Sequence, residues 1–183
     1  TTEGGREIIF MHPPTWELFL QSRAAFWFIA GFSFLIALLF GSMAAEQWLT
    51  VQQYFHAVDF HIADPIFQRD LSFYFFNLSL YKMIYGLAMP LMLLTILVVA
   101  IFYFLTSAVD IMGIDWKAFN WPKKHLAVLL GVILLLKAWG YKLSMYGILY
   151  SSSGVVYGAG YTDIHARLMA YKVLMVAAII VAV

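Results

Sequence analysis

Lys137 is the one charge set deep inside an apolar run, which makes it the first residue of this sequence with a chemical question attached. The run extends from Leu126 to about Tyr150 and carries Lys142 nearer its end. A lysine at mid-membrane costs about 2.5–3.5 kcal/mol on insertion scales, so it is expected to face protein or a wet cavity and to meet a partner. One reading makes Lys137 a candidate intramembrane polar site for an ion, a proton or an anionic lipid. The plainer one is a structural pair, or a side chain that snorkels past Gly140, Tyr141 and Lys142. Its expected partners are carbonyls near Pro90, the hydroxyls of Thr95 and Tyr103, or an acid from residues 46–82.

The five histidines are His12, His56, His61, His125 and His165. His56, Asp59, His61 and Asp64 cluster, and imidazole with carboxylate suits zinc. Their spacing matches no helical His-Glu-x-x-His site, and His56 and His61 fall off one helical face. No metal site is assigned. Ser151-Ser152-Ser153 lacks the glycines of a nucleophile elbow, and no P-loop or dinucleotide fingerprint occurs. No catalytic residue and no cofactor are expected, and enzymatic activity is not the favoured reading. The chain has no Cys, which removes a disulfide framework, an iron–sulfur cluster and a thiol nucleophile.

The elements that must position these residues follow from composition. Hydrophobic residues make up 63% of the 183 and charged ones 11%, against about 25% charged in soluble domains. Such a chain cannot cover a globule with polar surface and needs lipid as a second solvent. Aromatics reach 18%, which fits interfacial belts. A net charge of +1 gives no nucleic-acid surface. Spanning helices are expected near 24–45, 83–107, 126–150 and 169–183, with a kink at Pro90. Residues 46–82 are expected to lie in the interface as one or two short helices, on a stripe of Trp48, Val51, Phe55 and Val58. Thr15 would cap a short helix before them, and Trp116 and Trp121 would anchor the 108–125 loop. Lys117, Lys123 and Lys124 place that loop in the cytoplasm. The fold class is all-α, a polytopic transmembrane helical bundle with interfacial helices. Thr1 opens the chain and Val183 closes it inside an apolar run, so the natural protein is expected to continue on both sides.

Two segments carry unusual residues. In the first, Asp64 is expected to cap a helix that Pro65 begins, with Arg69 pairing Asp70 or Asp64 before the Phe73–Phe76 run enters the interface. The second is a turn that uses Gly154, Gly158 and Gly160, with Thr162 or Asp163 capping the last helix.

These segments together resemble the bacterial uncharacterised protein family zero-one-eight-two. The resemblance rests on Asp64, Pro65, Phe67, Asp70, Phe73, Tyr74 and Phe76, on Gly140-Tyr141 with Tyr146 and Leu149, and above all on Gly158-Ala159-Gly160-Tyr161-Thr162-Asp163. The sequence departs from the family pattern at Ser144, where an acid is expected, and at Met169, where a Pro is expected. The family-motif residues Asp64, Pro65, Arg69, Asp70, Tyr74, Gly158, Gly160, Tyr161, Thr162 and Asp163 are assigned no role. The resemblance implies about seven membrane helices and a large extracytoplasmic C-terminal domain, in the bacterial plasma membrane. The favoured reading is a membrane anchor or scaffold for that domain or for partner subunits. The alternatives are a transporter or channel with a site near Lys137, and an enzyme acting at headgroup level. Partners expected are membrane lipids and further copies or other membrane subunits, with no nucleic acid.

Overall fold

Ser22 starts the first helix. Its hydroxyl oxygen accepts the Ala25 N–H at 3.1 Å, satisfying one of the donors that a helix start leaves unpaired. The computed structural model describes residues 22–109, 120–150 and 158–183. Helix α1 (Arg23–Ala45) rises about 34 Å and carries no charge from Ala24 to its end. Ser42 returns its hydroxyl to the Leu39 carbonyl at 2.8 Å, which satisfies that donor within the helix. Most of α1 belongs to one compact unit, and Met43 onward forms a second.

The second unit opens with α2 (Trp48–Phe55). Trp48 and Phe55 stay exposed while Val51 and Tyr54 are half-buried, and the helix stops before Val58. After a tight loop the chain enters a π-helical turn, Phe73–Asn77, which runs straight into α3 (Leu78–Val109). This helical stretch begins about ten residues before the expected start at Met83, because Phe73, Tyr74 and Tyr81 pack as a helical face against the neighbouring helix. Helix α3 continues through Pro90.

Helix α4 (Asn120–Gly147) starts earlier than Leu126 and ends in a 3₁₀ turn, Ile148–Tyr150. A second π-helical turn, Asp163–Arg167, leads into α5 (Leu168–Ala182). The last helical stretch therefore also begins before its expected position at Met169. Helix α4 lies between α3 and α5, packed on both. Contacts between Tyr103 and His125 at one end and between Tyr85 and Trp139 at the other make α3 and α4 antiparallel. Tyr141 stacked on Tyr171 and Gly131 against the Ala182 carbonyl do the same for α4 and α5.

The described residues form no strand; Ala63 and Asp70 make an isolated antiparallel bridge. The fold is an all-α helical bundle. Arg23–Ala45, Phe73–Phe104, Lys123–Tyr150 and Asp163–Ala182 are long and apolar enough to cross a membrane. The core lies at one end of the bundle, where Tyr74, Leu78 and Leu143 are buried among Phe67, Tyr85, Trp139 and Tyr146. The expected helix capped by Thr15, the anchors Trp116 and Trp121, and residues 151–157 with Gly154 lie outside the described residues or side chains.

Candidate functional site

Among the described residues, every buried polar side chain of the second unit belongs to the same end of the bundle. These are Asp64, Ser72 and Asp163. A buried carboxylate is tolerated only when donors surround it. Asp64 has them: its Oδ2 accepts the Phe67 N–H at 2.5 Å and the Tyr74 hydroxyl at 3.1 Å. The Asp64 N–H donates to the Arg69 carbonyl at 2.8 Å, and its own carbonyl accepts Gln68 N–H at 2.9 Å. Asp64 thus closes a hairpin, and Pro65 sits in its turn. No helix starts at Pro65, contrary to expectation, because the backbone groups that would begin one are spent across the hairpin. Gln68 takes φ 54° to complete the turn.

Arg69 pairs with neither carboxylate. Its guanidinium lies 5.3 Å over the Phe73 ring, a cation–π contact. Asp70 instead accepts backbone donors, Ser72 N–H at 2.8 Å and Phe60 N–H at 3.1 Å, on Oδ1. The Ser72 amide foremost, with the Phe60 and His61 amides, holds its carboxyl down at about 2. Ser72 donates its hydroxyl to Asp59 at 3.3 Å.

Asp163 organises the second motif. Its Oδ2 accepts the Gly160 N–H at 3.2 Å, the reach-back of an acid to a helix start. Its Oδ1 takes Arg167 at 2.8 Å, the only ion pair among the described residues. Gly158 adopts φ 124°, which only glycine takes without strain. Tyr161 is exposed and stacks on His165 at 4.0 Å, and Thr162 makes no cap. The two motifs meet the same surface: Tyr74 packs against Tyr146 and Tyr150, and Tyr150 and Arg167 line one cleft.

That cleft has a volume of about 470 Å³. Lys82 and Tyr85 come from α3, Gly140, Leu143, Ser144 and Gly147 from α4, and Tyr171 from α5. Gly140 and Gly147 keep its floor low. A Cβ on Gly140 would fall 2.5 Å from the Tyr85 phenol, and one on Gly147 would lie 3.7 Å from Lys82 Nζ. The sequence alone singles out neither Lys82 nor Arg167 as a site residue. Their signal was weak but present: Lys82 is the last charge before the Met83–Phe104 run, and Arg167 stands one helical turn after Asp163.

Lys137 does not line the cleft. It is exposed on α4, without a hydrogen bond or ion pair to a described residue. Thr95 donates to the Leu91 carbonyl and Tyr103 bonds His125, so neither serves it. Among the described residues no group of three His, Asp or Glu side chains is placed to hold a metal.

The sequence model of Uncharacterised protein family (UPF0182) matches residues 14–183. A UPF0182 protein of Desulforamulus reducens is 42% identical over 153 residues, covering 82% of this chain and 16% of the relative. One from Moorella thermoacetica is 41% identical over 138 residues, 75% of this chain and 15% of the relative. One from Clostridium botulinum (strain Okra) is 31% identical over 159 residues, 81% and 18%. The chain thus spans less than a fifth of the length of these curated relatives. No solved structure matches. With the match running through both buried-aspartate motifs and all four apolar helices, this chain belongs to the uncharacterised protein family UPF0182.

Proposed function

We propose that these helices anchor a longer protein in the bacterial cell membrane and serve as the scaffold on which an extracytoplasmic domain or partner subunits are held. The observation that carries this reading is the apolar outside of all four long helices. Phe34 on α1, Leu97 on α3, Val128 on α4 and Ile180 on α5 are each more than half exposed. Faces of that kind are matched by lipid tails or by further membrane helices. Helices α1 and α3 also carry no charge over spans of membrane length. Helix α3 passes unbroken through Pro90, so it lacks the discontinuity of a transport site.

The test uses the full-length protein in membranes. A specific protease site is placed between the helices and the extracytoplasmic domain. Cleavage is expected to release that domain into solution while the helices stay in carbonate-washed membranes. A domain that remains bound after cleavage, or helices that wash off, would overturn the anchor reading. Lys137-dependent ion flux in proteoliposomes would favour transport instead.

A further inference from the structure

The charges of the cleft between α3, α4 and α5 are not balanced by its own lining. Lys82 and Arg167 both line it, and among the described residues no acid does. Asp163 offsets Arg167, but it is buried and bound to Arg167 and to the Gly160 amide. The Lys82 ammonium makes no ion pair or hydrogen bond with a described residue. Its Nζ lies 3.7 Å from where a Cβ on Gly147 would stand, in a hollow that Tyr85, Tyr150 and Tyr171 also line. With Arg167 offset by Asp163, the described lining keeps one uncompensated positive charge, Lys82, which favours an anion in the hollow.

Depth narrows the anion. The charge-free run Met83–Val109 rises about 40 Å, more than enough to cross the roughly 30 Å of a hydrocarbon core. With that run across a membrane, Lys82, immediately before it, falls at or outside one edge of the core, within reach of lipid phosphates. The aromatic lining suits the same depth.

We propose that this cleft binds a phosphate-bearing anion, gripped between Lys82 and Arg167, with tyrosine hydroxyls around it. Asp163 positions Arg167 from behind, and the π-helical turn Asp163–Arg167 presents the guanidinium at the cleft wall. The volume suffices for a headgroup-sized ligand. The ligand is either the headgroup of an anionic lipid or a soluble phosphate that enters from water. The proposal does not need the anchor reading: release of a cleaved domain says nothing about the cleft, and binding in the cleft says nothing about release.

The experiment uses full-length protein in phosphatidylcholine nanodiscs. Phosphatidylglycerol is stepped in, and retained lipid is counted by native mass spectrometry. A second arm titrates inorganic phosphate as competitor. Lys82→Met is expected to weaken phosphatidylglycerol binding by about tenfold or more, and Lys82→Arg to stay within roughly threefold of the parent. Ser144→Asp, which sets a carboxylate into the lining, is expected to lose binding as well, and its far-ultraviolet circular dichroism to match the parent's. Lys172→Met, outside the lining, is expected to bind as the parent does. Competition by inorganic phosphate alone would assign a soluble ligand, and lipid retention untouched by it would assign the headgroup; both support the site. Lys82→Met and Ser144→Asp that bind like the parent would overturn it. So would a loss in Lys172→Met equal to that in Lys82→Met.

Discussion

Tyr85 lies across Gly140 so closely that a methyl group there would fall 2.5 Å from the phenol carbon and oxygen. The pair sets the distance between α3 and α4 where the cleft begins, and Trp139 packs against the same tyrosine at 6.1 Å. Gly140→Ala is expected to force Tyr85 off its site and cost about 1–3 kcal/mol. Thermal unfolding of the solubilised protein measures it. In the Gly140→Ala/Tyr85→Ala double variant the two costs are expected not to add, because the clash is then gone. Additive losses would place the cost of Gly140→Ala elsewhere.

The hydroxyl of Tyr74 joins the Phe67 amide as a donor to the Asp64 carboxylate, a residue only 3% exposed. Tyr74→Phe is expected to destabilise by about 1–3 kcal/mol, since the buried oxygen loses a partner that water does not replace. Asp64→Asn keeps an acceptor for the Phe67 amide and is expected to cost less than Asp64→Ala. Equal losses in the two Asp64 variants, by thermal unfolding, would argue against the carboxylate oxygens as the keystone.

Gln68 holds φ 54°, a conformation that glycine adopts without strain. Gln68→Gly is expected to leave stability unchanged or raise it by up to about 1 kcal/mol, and Gln68→Val to lower it. A destabilised glycine variant would mean that the Gln68 side-chain bond to the Pro65 carbonyl, at 3.2 Å, outweighs the backbone.

The loop end has its own acid limit. Asp70 titrates near 2 in the folded protein against 3.8 ordinarily. A depressed carboxyl contributes stability above its unfolded value and loses it as pH falls through the folded one. The Asp70 contribution is therefore full above about pH 4 and gone near pH 2. Asp70→Asn is expected to flatten the stability profile across that window, measured as unfolding temperature against pH. A profile identical to the parent's would assign the acid sensitivity to other groups.

The parts of this fold that are legible in sequence are those fixed by lipid-length apolar runs. Ala24–Ala45 and Met83–Phe104 announce themselves because no charge interrupts them. Helix starts were less legible. Phe73–Tyr81 reads as an interfacial elbow until Tyr146 and Trp139 are seen to cover it, which makes it the first turns of α3. Asp64-Pro65 has the local form of a helix start, and the hairpin bond to Arg69 overrides it. The cleft had no motif to find. Lys82, Ser144 and Arg167 are far apart in sequence, and only the antiparallel packing of three helices gathers them. Lys137 drew attention by its position, yet its predicted polar partner is not among the described residues.

The central claim is that these helices lie in a membrane with both aspartate motifs at one face. Single-cysteine labelling of the full-length protein, freed of any other cysteine, tests it most directly with a membrane-impermeant maleimide. Cysteine at Gln68 and at Tyr161 is expected to react from the same side, at Lys123 from the opposite side, and at Leu97 from neither. Labelling of Leu97→Cys as fast as Gln68→Cys, or of Gln68→Cys and Lys123→Cys from one side, would contradict the account.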